Sequence, residues 1–182
     1  MKKITFIALF CVSLSAIGQS KYLTKTGSLD FEASVPSFEE VAAKNNSVTA
    51  ILNTENGEFA ALALVKAFRF KNALMEEHFN ENYAESDKHP KATFKGKING
   101  FKFDNLSASE GSTSVNGSLT FHGVTKELKD ISMTIKLADG KIVLSGSFKV
   151  LVSDFEIEIP KIVANKLSDE VDIDFNFELA KK

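Results

Sequence analysis

The chain carries three histidines and slightly more acidic than basic side chains, 24 against 22, so metal ligation and acid–base chemistry are the first possibilities to weigh. His78 lies among Glu76, Glu77 and Glu81, with His89 and His122 further along, and imidazole with carboxylate is a donor set that zinc accepts. Neither His-x-x-x-His nor His-Glu-x-x-His occurs, and His78 and His89 stand at no recognised ligand spacing, so no metal centre is expected. Covalent catalysis has no better footing. There is no Gly-x-Ser-x-Gly elbow and no phosphate-cradling glycine loop, and the lone cysteine, Cys11, falls in an N-terminal apolar run. Carboxylate pairs at Asp172 and Asp174, and at Glu156 and Glu158, share one strand face by their period of two. Such a face is ordinarily solvated. The expectation is a protein without catalytic residues and without a cofactor.

The elements that would position any site begin after a targeting segment. Met1-Lys2-Lys3 followed by the apolar run Ile4 to Ile17, with small residues at Ala16 and Gly18, reads as a secretory signal peptide. Bulky Phe10 before Cys11 argues against a lipid-modified start. Residues 1–18 are expected to be cleaved and residues 19–182 to form one domain, exported to the periplasm or secreted, with no stable membrane insertion after cleavage. Without Cys11 that domain has no disulfide, so its core must stabilise it. A formal charge of −2 and the absence of any basic cluster exclude nucleic acid and anionic membrane surfaces as partners.

Most of the chain alternates like strand. Leu29, Phe31 and Ala33 are followed by Pro36, and Ser37 to Lys44 is readable either as a helix start or as strand. Val48–Asn53 and Glu58–Phe70 read as a hairpin about Asn56-Gly57. The stretch FAALALVKAFRF in the second of these is apolar on both faces, so it is covered on both sides or touches something apolar that is not water. Later strands carry Phe94, Gly96 and Ile98; Val115, Gly117, Leu119 and Phe121; Ile131 to Leu137; Ile142 to Val152; and Val171 to Leu179, with turns at Gly123 and Asp139-Gly140. One stretch breaks the rule. Leu74, Met75, Phe79 and Tyr83 recur at helical spacing behind Asn72, a good N-cap, and Pro90 forces extended chain before the next strand. About eight antiparallel strands with one apolar face close most economically into a barrel, capped or flanked by the one short helix.

Fourteen of the sixteen phenylalanines lie after the expected signal peptide, against no tryptophan and two tyrosines, and make the inner face rich in phenylalanine. Gly96, Gly117 and Gly146 fall in inward-facing rows, where a glycine either lets a strand bend or leaves room. An eight-stranded barrel can be filled by its own side chains or hold one small ligand. The second reading predicts that leucine at Gly117 or Gly146 abolishes ligand binding and spares the fold; the first predicts lost stability.

Three blocks carry a resemblance: HFNENYAESDKHPKATFKG from His78 to Gly96, GSLTFHGVTKEL from Gly117 to Leu128, and SFKVLVSDFEIEI from Ser147 to Ile159, followed by Val171-Asp172-Ile173. In words and spacing they resemble the YceI-like family of exported lipocalin-like proteins, over roughly Tyr22 to Leu179. The chain departs from the family pattern at the front, where Phe31 to Asn53 lacks the usual histidine, and at Leu151-Val152, where an arginine is common. The resemblance implies an all-β, lipocalin-like antiparallel barrel whose lumen binds an isoprenoid, quinone-tailed or other amphiphilic lipid, without catalysis. It places Phe121 and His122, Asp154 and Phe155, and Met75 and Phe79 beside that lumen. With the inward strand positions this gives Phe68, Phe70, Met75, Phe79, Phe94, Leu119, Phe121, Phe148, Phe155 and Ile157 as lumen and cap residues. His78, His122 and Asp154 are the head-group candidates, with His89 and Lys126 as further polar groups. The alternative is a solid-cored envelope module that works through its outer surface. Whether two barrels pair is left open.

Overall fold

The computed structural model describes residues 20–182; the expected signal peptide and Cys11 lie outside the described residues. Nine strands follow in order: β1 (Lys21–Ser34), β2 (Ala42–Asn53), β3 (Glu58–Leu64), β4 (Arg69–Phe70), β5 (Lys91–Ile98), β6 (Gly111–Phe121), β7 (Val124–Ala138), β8 (Lys141–Leu151) and β9 (Leu167–Lys181). All pairings are antiparallel, in the order β1-β9-β8-β7-β6-β5-β3-β2-β4, and an additional β1–β2 pairing closes the sheet. Because β3 and β4 both pair with β2, they are two pieces of one stave, and the barrel has eight staves.

The continuous strand expected over Glu58–Phe70 is therefore a correction. A single tight turn over Val65–Ala67 interrupts it. The turn changes the local period, so that Val65 and Phe68, three apart, both point into the core. The ladder bonds it forfeits are replaced: Asn45 Nδ2 donates to Leu64 O at 3.1 Å, and Val65 N–H donates to Pro90 O at 3.0 Å. Asn45 is fully buried and has this work to do. The undecided stretch before β2 is a loop over residues 35–41, with β2 starting at Ala42. His122-Gly123 and Asp139-Gly140 both turn with positive φ at both residues, 50° and 79° in the first and 52° and 74° in the second. That is the hairpin geometry whose twist matches the flanking strands.

The helix α1 (Ala73–His78) starts as expected, with Asn72 Oδ1 accepting from Leu74 N–H at 2.9 Å. It does not continue regularly to Tyr83. Over Phe79–Tyr83 the coil widens by one residue, with Ala84 N–H reaching Phe79 O and Ser86 N–H reaching Asn80 O, both at 2.8 Å. The extra residue rotates the helical face. Leu74, about 100° round the regular helix from Met75, stands 56% exposed, while Met75, Phe79 and Tyr83 stay half-buried. Glu76 fastens the helix to β4, accepting from Arg69 Nη1 at 2.9 Å and from Phe70 N–H at 3.2 Å.

The two ends of the barrel are built differently. At the lower end lie the β2–β3 and β7–β8 turns and the loop after β5, whose Phe103 packs on Tyr22 with ring centroids 5.9 Å apart. Above them Leu52, Ile142, Leu144 and Leu179 are completely buried. At the upper end lie the 35–41 loop, α1, the turn at 122–123 and the segment 152–166. There the wall parts, because β7 and β8 pair only from Met133 opposite Gly146 down to Ala138 opposite Lys141. Above that point the segment bearing Phe155 and Ile157 packs against Leu119, Phe121, Val124 and Leu128.

Candidate functional site

Of the two readings of the inward-facing glycines, bend or room, the structure does not bear out room. A Cβ on Gly117 would lie 2.4 Å from the Lys95 carbonyl oxygen and 2.6 Å from the Phe94 ring. On Gly146 it would lie 2.6 Å from the Ser132 oxygen and 2.8 Å from the Phe175 ring; Gly96, directly opposite Gly117, is covered by Phe94 too. The glycines are seats for aromatic rings. Phe94, Phe59, Phe177 and Phe175 run across the barrel in series, with centroid separations of 6.1, 5.8 and 5.5 Å. They form a floor between the close-packed lower half and the space above it.

Above the floor is a cavity of about 580 Å³, within the range of small-molecule sites. Its wall is overwhelmingly apolar and includes Phe68, Phe70, Met75, Phe79, Phe94, Leu119, Phe121, Phe148, Phe155 and Ile157. The helix is held over one side by Phe79, whose ring lies 5.3 Å from those of Phe31 and Phe70 and 6.0 Å from that of Phe68. Phe31, Phe38, Ile159 and Val163 also line the cavity and were missed. Phe31 was legible as an inward strand residue; the others sit on loops at the mouth, where no period marks the inside. The polar groups of the wall are Glu39, His78, Tyr83, Lys166 and Ser168, all carried by upper-end segments. Burial pushes the Tyr83 phenol above its ordinary value.

Of the three head-group candidates, only His78 stands on this wall. His122 and Asp154 are used to build it. His122 Nδ1 lies 2.9 Å from Phe155 O, and Asp154 Oδ1 accepts from Lys126 Nζ at 2.5 Å. Both bonds hold the 152–157 segment against β7 and the hairpin, where the strand pairing has stopped. Lys126 holds the Asp154 carboxyl below the usual carboxylate range. The HGVT and SDF blocks thus meet as two sides of one joint.

His89, set aside on its spacing, meets His122 with ring centroids 4.9 Å apart, and Glu85 Oε2 lies 3.2 Å from His122 Nε2. One ligand atom each of Glu85, His89 and His122 falls within 4.8 Å of the others. Spacing rules could not find this group, because it joins a turn to a hairpin across the sheet.

The family model of the YceI-like domain matches residues 20–179. Among solved structures the chain is similar to a polyisoprenoid-binding domain from Saccharophagus degradans implicated in plant cell wall breakdown, with 16% identity, a TM-score of 0.77, and coverage of 90% of this chain and 99% of that one. It is also similar to BcnA from Burkholderia cenocepacia (16% identity, TM-score 0.65, coverage 84% and 96%) and to the YCEI protein of Campylobacter jejuni (20% identity, TM-score 0.57, coverage 81% and 88%). No curated protein matches it in sequence.

Proposed function

From the premise that the chain belongs to the YceI-like family, we propose that it is an exported, non-catalytic carrier that holds the apolar chain of an amphiphilic lipid, of the polyisoprenoid or quinone-tailed kind, in the upper half of its barrel. The observation that carries this reading is the apolar cavity of about 580 Å³ above the aromatic floor. Each methylene taken from water there contributes roughly 0.8 kcal/mol, so a long chain binds without many polar contacts. The rim carries what polar recognition there is, and His78 with Lys166 is the pair to orient a head group. The polyisoprenoid-binding domain of S. degradans supports the ligand class through its shared fold. Export rests on the N-terminal sequence, and among the described residues no helix is long and apolar enough to cross a membrane.

The test is native mass spectrometry with solvent extraction on protein purified gently from a bacterial periplasm. A co-purifying polyprenyl or quinone species, or uptake when such lipids are offered, is the expected result. A clean protein mass that takes up none of them would overturn the carrier reading and direct attention to the outer surface.

A further inference from the structure

We propose that Glu85, His89 and His122 form a binding site for one divalent transition ion of the zinc class, at the upper end of the barrel and separate from the cavity wall. The three side chains come from two turns that the fold sets face to face. Lys88 and His89 N–H both donate to Glu85 O, at 2.8 and 2.9 Å, which places Glu85 and His89 on one side of a single coil. The hairpin opposite supplies His122 and leaves space for His89 through Gly123, where a Cβ would lie 2.7 Å from His89 Cε1. All three groups are partly shielded from water.

The hydrogen bonds of His122 carry the argument further than proximity does. Phe155 O can only accept, so the Nδ1 that lies 2.9 Å from it bears a hydrogen. In the neutral ring the lone pair of Nε2 then points at the Glu85 carboxylate, 3.2 Å away. With that ring neutral two acceptors face each other, and either a proton on Nε2 or a metal cation between them turns the repulsion into two bonds. A bound ion takes Nε2 of His122, a carboxylate oxygen of Glu85 and a ring nitrogen of His89, and leaves its remaining position to water. The Nδ1–H to carbonyl bond is the outer partner that fixes the tautomer and orientation of metal-bound histidines. Two imidazoles with one carboxylate suit zinc and its neighbours better than calcium or magnesium, which favour oxygen ligands. Bonds of about 2.0–2.2 Å draw the cluster tighter than it stands without the ion.

The test uses the chelator-treated, untagged full chain, titrated with Zn²⁺ by calorimetry and with Co²⁺ by visible absorption. One equivalent of Zn²⁺ is expected, with a Co²⁺ band of nitrogen–oxygen ligation. His89→Ala and Glu85→Gln should each weaken uptake by at least ~10–100-fold, the loss that outer partners alone produce. His122→Asn should do the same while keeping the hairpin, since Asn-Gly suits that turn. Lys88 bonds Glu85 Oε1 at 2.5 Å, so Lys88→Met should free the carboxylate and tighten binding about two- to five-fold, the worth of an exposed ion pair. Folded wild-type protein that takes up no stoichiometric Zn²⁺ would overturn the proposal. So would uptake that His89→Ala and Glu85→Gln, shown folded by circular dichroism, leave unchanged. Lipid uptake is not part of this readout, so the site and the carrier reading stand or fall separately.

Discussion

The two halves of this barrel share their staves and their alternation but differ in what fills them. Below the aromatic floor, Leu52, Ile142, Leu144 and Leu179 are wholly buried and the loop after β5 closes the end. Above it, Phe31, Phe70, Phe79 and Phe148 are only partly buried and face about 580 Å³ of cavity. The physical origin of the difference is the end of β7–β8 pairing at Met133 and Gly146. Once that ladder stops, the wall can spread, and the 152–157 segment closes the split with side chains and two polar ties instead of backbone bonds. The question of packed core or open lumen therefore has both answers, one in each half.

The harshest test of the boundary between the halves is Gly117→Leu. Its Cβ alone would stand 2.4 Å from the Lys95 backbone oxygen and 2.7 Å from Gly96 Cα, which no rotamer relieves. Overpacking against side chains costs about 1–3 kcal/mol, and here backbone must move as well. The expected outcome is loss of the cooperative unfolding transition by circular dichroism. A folded variant that only loses lipid would break the comparison, because the glycines would then be ligand space.

Next comes truncation on either side of the floor. Leu144→Ala, below, should cost about 2–5 kcal/mol in chemical denaturation, since it opens a new void in close packing. Phe148→Ala, above, should cost less than the roughly 3 kcal/mol minimum of a packed phenylalanine, because its side chain already borders empty space, and its main effect should be on lipid uptake. Equal costs would mean that the upper half closes up in solution.

The mildest effect belongs to the joint at the split. Lys126 depresses the Asp154 pKa, so their tie contributes stability above the ordinary aspartate value and loses it as pH falls through the lower, folded value. Lys126→Met should therefore lower the melting temperature slightly near neutral pH, with the difference from wild type shrinking as pH falls below about 4 and vanishing only below the depressed folded value. Hydrogen exchange should quicken in residues 152–157 and leave β8 below Gly146 unchanged. A difference that grows on acidification would sink this account of the joint.

Much of the architecture was legible from local chemistry. Alternating residues gave β6 to β9 their inner faces, Asn72 marked the start of α1, and Asp139-Gly140 marked a hairpin, because each signal depends on a few adjacent residues and their φ preferences. The regular course of the helix to Tyr83 and the unbroken stave through Val65–Ala67 were misread for the same local reason: a widened coil and a single tight turn each change the period within one turn of chain. What tertiary structure alone decided was which groups meet and which spaces stay empty. Gly117 reads as room until Phe94 is seen lying over it. His122 and Asp154 read as head-group contacts until Phe155 O and Lys126 are seen to hold them, and Glu85, His89 and His122 are unrelated in sequence until two turns face each other. Alternation along a strand fixes the side to which a residue points; the volume remaining on that side depends on where neighbouring ladders end, and that is settled only when the sheet closes on itself.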